Sequence, residues 1–144
     1  MSTTILLFRQ DLRIHDHPAL SAAAQRGDVL PVFIYDEQVA GEWGFGAASQ
    51  WWLHESLISL SVSIESLGGQ LLLRRGNTIE TLLELQAFTQ ADAIYSSRQY
   101  QPWSAGLEAS INAEFAKRNV EVKRYPGTLL HEPGSVLTLS LIHI

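Results

Sequence analysis

TTILLF (Thr3–Phe8) and VLPVFIY (Val29–Tyr35) are nearly continuous apolar runs, each about as long as a typical strand. Such runs are typical of strands that are covered on both faces, because a half-exposed strand alternates apolar and polar side chains. Sheets that are covered on both faces are usually parallel. The two stretches therefore predict buried parallel strands.

Three further segments have the composition of strands. Gln70–Leu73 leads into a pair of arginines, Ala93–Tyr95 is a short apolar segment, and Val120–Tyr125 (VEVKRY) alternates in the manner of a more exposed strand. Together with the first two runs, these segments predict five strands.

The segments between the strands have helical patterns. Pro18 stands in the first turn of a predicted helix over Pro18–Gln25, a position that proline favours. Asn77 followed by Glu80 has the spacing of a capping box before a leucine-rich segment. The clearest helix ends at Gly68-Gly69, and its apolar stripe at steps of three and four consists of Leu53, Leu57, Leu60, Ile64 and Leu67.

Strands and helices thus alternate, with roughly thirty residues per unit. This order predicts a Rossmann-like α/β fold, a doubly wound five-stranded parallel sheet with helices on both faces and right-handed crossovers. We expect this domain to span residues 1–126. Residues 127–144 contain spaced Gly and Pro and no helical stripe, so we expect them to begin a connection.

The composition narrows the class of protein. A chain of 144 residues with 46% apolar and 17% charged residues is typical of one folded globular domain. Charged residues stand near the N-terminus where a signal peptide is apolar, and no apolar run approaches the roughly 18 residues of a membrane span. We therefore expect a cytoplasmic protein with no membrane partner.

The charge and the reactive residue types exclude several functions. A net charge of −5 makes the chain by itself a poor candidate for binding DNA, because DNA-binding domains are usually basic. The absence of Cys excludes disulfides and thiolate zinc sites, and the five His residues are not arranged with acids at metal-ligand spacing. No G-x-S-x-G, G-x-G-x-x-G or Walker loop occurs. We therefore predict no metal site and no catalytic residue.

In an open parallel sheet, ligands bind beyond the carboxyl ends of the strands. The loops at that edge are predicted to be Arg9–His17, Asp36–Ser49, Gly76-Asn77 and Ser96–Ser104. The first of them, RQDLRIHDHP, is rich in charge. Its simplest interpretation is a solvated turn in which Asp11 pairs with Arg9 or Arg13, or caps the next helix.

Two other features near this edge have alternative interpretations. The segment Gly44–Ser49 either presents backbone N–H groups to an anion or is a flexible segment in which Ser49 caps the long helix. Trp52 is expected to pack on the sheet, whereas Trp51 and Trp103 either stack on a planar ligand or serve in packing and interfaces.

The opening LFRQDLRIHDHPAL (Leu7–Leu20) resembles the N-terminal signature of the DNA photolyase and cryptochrome family. In that signature an apolar strand runs into R-x-D-L-R, an apolar residue, a polar residue and D-N-P-A-L, and His17 replaces the usual Asn. The resemblance extends over residues 3–140 through collinear matches at Ala47–Leu57, Leu71–Asn77, Tyr100–Trp103 and His131–Gly134.

The resemblance implies the N-terminal α/β domain of a deoxyribodipyrimidine photolyase. In this family the catalytic FAD and the DNA-binding groove lie in a helical C-terminal domain, which would be the partner of this chain, and damaged DNA would bind only the full-length protein. After Ser140 the chain departs from the family pattern, so we expect a truncated fragment that is inactive in repair. The alternatives are the N-terminal domain of a cryptochrome photoreceptor and a nucleotide-binding module like those of electron-transfer flavoproteins.

The family's α/β domain holds an antenna chromophore, which is a folate, a deazaflavin or a flavin. Trp103 and Ser104 stand where folate binders carry Asn-Glu, and Pro102-Trp103 is similar to the Glu-Pro-Tyr loop of deazaflavin or flavin binders. The resemblance therefore favours a deazaflavin or flavin over a folate, in a pocket that departs from the usual pattern. The implied cofactor-binding residues are Arg9, Asp11, Phe33, Asp36, Ser49, Leu53, Gln99 and Gln101.

Some of these residues differ from the family pattern, and others have an alternative, structural interpretation. Gln99 and Gln101 stand where acids are common in the family, and Ser49 where a basic residue is common. Arg9 and Asp11, together with Arg13, equally suit a structural charge cluster that contacts no ligand.

Overall fold

The computed structural model describes residues 2–135, in which strands and helices alternate as expected. The elements, in chain order, are β1 (Thr3–Phe8), α1 (Pro18–Arg26), β2 (Asp28–Tyr35), a 3₁₀ turn (Gly41–Trp43), α2 (Ala47–Ser66), β3 (Leu72–Arg75), α3 (Thr78–Thr89), β4 (Ala93–Ser97), α4 (Ser104–Ala116) and β5 (Glu121–Tyr125).

All five strands are parallel and lie in the order β3-β2-β1-β4-β5. The chain moves from β1 outward to β3, crosses back over the sheet, and continues from β4 to β5. β1 and β4 are therefore neighbours whose following connections diverge, which makes the gap beyond their carboxyl ends the switch point of the sheet. The prediction of a five-stranded parallel α/β sheet is confirmed.

The core lies on both faces of the sheet, as the uninterrupted apolar composition of β1 predicts. Ile5 and Leu7 of β1 belong to a buried cluster with residues of α3 and α4. Leu6 and Phe8 point to the other face, where they pack with residues of α1 and α2. A strand covered in this way has no solvent-facing positions, so each of its side chains after Thr3 is buried.

Two helices begin at polar caps. The Nδ1 atom of His17 accepts a hydrogen bond from the N–H of Leu20 (3.1 Å), and Pro18 follows as the first residue of α1. Asn77 Oδ1 accepts a hydrogen bond from the N–H of Glu80 (3.0 Å) at the start of α3. The predicted role of Asn77 as a helix cap is confirmed.

Three sequence-based details differ in the structure. β3 begins two residues later than the predicted Gln70–Leu73 segment, so the buried Leu71 lies just before the strand. α2 begins at Ala47 with Gly46 as its N-cap, so Ser49 lies inside the first turn and does not cap the helix. Trp52 is 69% exposed and does not pack on the sheet.

The chain after β5 has no regular secondary structure up to residue 135. Residues 136–144 of the predicted connection, including His143, lie outside the described residues. Within residues 2–135, no helix combines the length and the apolar composition that a membrane crossing requires.

Candidate functional site

A cavity of about 240 Å³ lies at the carboxyl edge of the sheet, beside the switch point. Its walls come from the ends of β1 and β2, the segment 39–45 that follows β2, and the loop between β4 and α4. This is the edge at which the sequence predicts a ligand. The volume is close to the lower limit of about 300 Å³ that is typical of small-molecule pockets.

The cavity wall combines aromatic rings with side-chain amides. A flat ring offers a stacking surface to a planar ligand, and a side-chain amide can both donate and accept hydrogen bonds. This combination suits a planar heteroaromatic molecule with donors and acceptors on its edge. The aromatic lining residues are Phe8, Phe33, Tyr35, Trp43, Phe45 and Trp103, and the amide residues are Gln10, Gln50, Gln99 and Gln101.

Arg9 is the only basic residue among those that line the cavity. It follows β1 directly, and its Nη1 atom lies 3.4 Å from Oε1 of Glu108. Burial lowers the pKa of the Arg9 guanidinium, and the negative charges of Glu108 and Asp11 partly oppose that change. An arginine side chain stays protonated in such surroundings, so the cavity contains one fixed positive charge.

Asp36 also lines the cavity, but its carboxylate already accepts hydrogen bonds from other residues of the chain. Oδ1 accepts hydrogen bonds from the N–H groups of Gln38 (3.0 Å) and Val39 (3.2 Å). Oδ2 accepts from the N–H and the hydroxyl of Thr78, both at 2.9 Å. Burial alone would raise the pKa of Asp36, but these hydrogen bonds outweigh burial and lower the pKa. Asp36 therefore ties the segment after β2 to the start of α3.

Asp11 is 1% exposed and lies outside the cavity lining. Its carboxylate accepts hydrogen bonds from the Arg9 backbone N–H (2.8 Å) and the Ser97 hydroxyl (2.7 Å). His17 Nε2 lies 2.6 Å from Oδ2 of Asp11, although its N–H is poorly aligned with that oxygen. Burial opposes ionisation, but the hydrogen bonds keep the pKa of Asp11 below its ordinary value.

The suggested pairing of Asp11 with the side chain of Arg9 or Arg13 is therefore wrong. The guanidinium of Arg13 instead donates hydrogen bonds to the backbone carbonyls of His15 and Asp16. The suggestion that Asp11 caps α1 is also wrong, since His17 does so.

The structure brings five of the eight predicted residues together around the cavity, namely Arg9, Phe33, Asp36, Gln99 and Gln101. Three of the eight do not line it. Asp11 is buried beside Ser97, Ser49 is exposed on α2, and Leu53 packs against the core cluster beneath α2. The role of each residue in binding stays a prediction.

Several residues that line the cavity were not predicted from the sequence. Gln10 accepts a hydrogen bond from Nε2 of Gln101 (2.6 Å), which joins the loops after β1 and β4 across the cavity. The position of Gln10 inside the charged loop after β1 could have indicated that it lies at this edge of the sheet. Phe45 and Gln50 gave no such signal, because only the path of the chain after β2 brings them to this edge.

Among residues 2–135, no group of three or more His, Asp or Glu side chains is arranged to hold a metal ion. The aromatic and amide lining of the cavity suits an organic ligand.

Comparison with known proteins agrees with this architecture. The sequence model of the DNA photolyase family matches residues 4–141. This chain belongs to the DNA photolyase family. Cryptochrome-2 of Arabidopsis thaliana is 40% identical over 92% of this chain and 22% of its own length. The deoxyribodipyrimidine photo-lyase of Agrobacterium fabrum is 39% identical over 94% of this chain and 28% of its own length.

Solved structures of photolyases share the fold. A bacterial class III photolyase from Agrobacterium tumefaciens superposes with a TM-score of 0.89 at 36% identity, covering 98% of this chain and 29% of that one. An archaeal photolyase from Sulfolobus tokodaii, described as holding two FAD molecules and as implicating a novel light-harvesting cofactor, has a TM-score of 0.83 at 28% identity. That alignment covers 94% of this chain and 32% of the archaeal one.

The photolyase-family chain thus spans about a quarter of the length of the relatives that it matches. Its resemblance to the family, which the sequence of the loop after β1 indicated, is confirmed.

Proposed function

We propose that this chain is the antenna-chromophore-binding domain of a light-dependent DNA repair enzyme, a cyclobutane pyrimidine dimer photolyase. The observation that carries the proposal is the cavity at the switch point of the sheet, with its aromatic and amide lining. Family membership supports the same assignment. An antenna chromophore absorbs light and passes the excitation energy to a catalytic flavin, which family members carry in a separate helical domain.

The charges around the cavity favour a deazaflavin or flavin over a folate. A folate carries carboxylates on its glutamate tail. Such a ligand would meet Asp36 and Glu37 in the lining, with Arg9 as the only basic partner. A flavin or deazaflavin ring presents donors and acceptors that suit the amides of Gln99 and Gln101. The description of the Sulfolobus tokodaii photolyase lends further support to a flavin.

The residues of this chain would act by holding the chromophore in a fixed orientation. Trp103 and Tyr35 supply flat apolar surfaces, and Gln10 and Gln101 are already oriented by their mutual hydrogen bond. Part of the wall is formed by the ends of β1 and β2, which belong to the buried parallel sheet. Energy transfer between two chromophores depends on their relative orientation, so a rigid wall serves this function.

The second candidate is the N-terminal domain of a cryptochrome photoreceptor. The 40% identity to Arabidopsis cryptochrome-2 favours it. The two candidates share the chromophore cavity and differ in their partner, which is damaged DNA in one case and a protein in the other. We expect the whole gene product to repair thymine dimers under blue light. The absence of repair by an intact, flavin-loaded protein would favour the photoreceptor.

The binding proposal is tested by titrating the purified chain with riboflavin, 5-deazariboflavin, methenyltetrahydrofolate and ADP. We expect riboflavin and its deaza analogue to bind, as measured by fluorescence polarisation, and folate and ADP to bind weakly. Preferential binding of ADP would favour a general nucleotide-binding module. Failure of every chromophore to bind would contradict the proposal.

A pair of tryptophan variants locates the binding. Trp103 lines the cavity, whereas Trp52 is exposed on α2 away from it. Stacking on an aromatic side chain contributes about 1–3 kcal/mol, so Trp103→Ala should weaken riboflavin binding by about fivefold or more. Trp52→Ala should leave the affinity unchanged. Equal losses in the two variants would place the ligand elsewhere.

A further inference from the structure

Glu108 is a buried acidic residue that does not itself line the cavity. It lies on α4 and is only 6% exposed. Its Oε1 atom is 3.4 Å from Nη1 of Arg9 and 3.4 Å from the backbone N of Gln99, and its Oε2 atom contacts Nη1 of Arg124. One carboxylate therefore joins the ends of β1 and β4 to α4 and β5.

Because both groups are largely buried, the carboxylate of Glu108 and the guanidinium of Arg9 depend on each other for stabilisation. A buried carboxylate is destabilising unless charges and hydrogen-bond donors surround it, and the same holds for a buried guanidinium. Burial lowers the pKa of Arg9, and Glu108 is the largest influence that opposes this change. Glu108 is also the only side chain among the described residues that accepts a hydrogen bond from the guanidinium of Arg9. Without Glu108, the Arg9 side chain loses the contact that fixes its direction.

Two of the three partners of Glu108, in contrast to Glu108 itself, reach the cavity. Arg9 and Gln99 both line the cavity wall, whereas Glu108 and Arg124 do not. Glu108 lies behind this wall, in a small hollow between α4 and the sheet that Arg9 and Arg124 also border. Arg9 and the Gln99 backbone therefore connect Glu108 to the cavity wall.

We propose that Glu108 is a positioning residue that holds the Arg9 guanidinium and the loop after β4 in place for chromophore binding. This inference rests on the proposed function of the cavity. Glu108 then keeps the guanidinium of Arg9, which carries the single positive charge of the cavity wall, in a fixed position. In that position Arg9 can face an electron-rich edge of the ligand.

The test compares two identical substitutions on the same helix. Glu108→Gln removes the buried charge, and Glu114→Gln removes a partly exposed charge that pairs with Lys117. We expect Glu108→Gln to weaken riboflavin binding by at least about tenfold and to shift the absorption bands of the bound flavin. Glu114→Gln should change neither property. Equal affinity and equal spectra for the two variants would overturn the inference.

A double variant separates positioning from general stability. If Glu108 acts through Arg9, then Glu108→Gln should produce little further loss of affinity in an Arg9→Gln background. Arg124→Gln should lower the melting temperature, because it breaks the other ion pair of Glu108. Fully additive losses from Arg9→Gln and Glu108→Gln would contradict action through Arg9.

A measurement without chromophore distinguishes failure of this inference from failure of the proposed function. In NMR spectra of the unmodified chain, the side-chain N–H groups of Arg9 should exchange slowly with water, and this protection should be lost in Glu108→Gln but kept in Glu114→Gln. Slow exchange together with no chromophore binding would overturn the proposed function and leave the positioning role intact. Rapid exchange in the unmodified chain would overturn the positioning role, even if Glu108→Gln failed to fold.

Discussion

The acidic residues at the carboxyl edge of the sheet organise the loops. Asp11 accepts hydrogen bonds from the Arg9 N–H and from Ser97, and so fastens the loop after β1 to the end of β4. Asp36 uses both oxygens on N–H and hydroxyl groups of its own chain. Asp36 accepts four hydrogen bonds and Asp11 lies buried outside the cavity lining, so we expect both to act on binding only through the shape of the wall.

Asp11→Asn should destabilise the fold. The change removes a buried charge and places an N–H donor group beside the Ser97 hydroxyl and the His17 ring. Leaving a buried polar group without its partner costs about 1–3 kcal/mol, and we expect a loss of this size in urea denaturation. Asp16→Asn is the matched control, since Asp16 is exposed in the same loop. Equal stability of the two variants would contradict the structural role of Asp11.

The stability of the chain should decrease in acid. The pKa values of Asp11 and Asp36 are lower in the folded state than the value of about 3.9 of an unfolded aspartate. As the pH falls below that value, the unfolded state therefore takes up more protons than the folded state and becomes favoured. The melting temperature should change little between about pH 7 and 5 and should fall as the pH drops through about 4 towards the folded-state pKa values.

Asp36→Asn tests the origin of this pH dependence. It should show a shallower acid decrease of melting temperature than the unmodified chain, whereas Asp16→Asn should keep the original slope. An identical slope in Asp36→Asn and the unmodified chain would show that Asp36 is not among the groups responsible.

At the scale of elements, α2 has apolar side chains on more than one face. Leu60 and Ile64 point to the core, as the stripe of leucines predicts. Trp51 and Trp52 are exposed, and so are Ile58 and Val62. The stripe separated Leu60 and Ile64 from Ile58 and Val62, but Trp52 was wrongly expected to pack on the sheet, because periodicity identifies a core face reliably only when the opposite face is polar.

The two sets should differ in their contribution to stability. Leu60→Ala should lower the free energy of unfolding by about 2–5 kcal/mol, because Leu60 is 2% exposed and its truncation leaves a cavity. Trp52→Ser should change it by no more than about 0.5 kcal/mol, as is typical of exposed positions. Urea denaturation monitored by circular dichroism measures both. A large loss in Trp52→Ser would show that this side chain is packed.

The elements themselves follow from local chemistry. Continuous apolar runs predicted β1 and β2 closely, because both strands are covered on both faces. The cap at Asn77 predicted the start of α3. β3 was misplaced by two residues because its exposed Arg74 and Arg75 do not resemble a strand, and only pairing with Ile34 and Tyr35 makes them one.

At the scale of the whole molecule, sequence predicted the edge that carries the site but only part of its lining. The ends of parallel strands must meet at one edge, so Arg9, Asp36 and Gln99 could be placed there. The strand order that makes β1 and β4 neighbours is set by long-range pairing and has no local signal. The return of the segment 39–45 over the edge likewise depends on tertiary contacts, which explains why Phe45 was missed.

We expect a flavin-type chromophore to bind at the carboxyl ends of β1 and β4. Backbone amide NMR spectra of the chain, recorded during titration with riboflavin, locate the binding site. The shifts should concentrate at residues around the cavity such as Arg9, Tyr35 and Gln99, while the opposite edge of the sheet, at Asp28 and Asp92, should stay unchanged. Shifts confined to the exposed face of α2, or no shifts at saturating riboflavin, would contradict it.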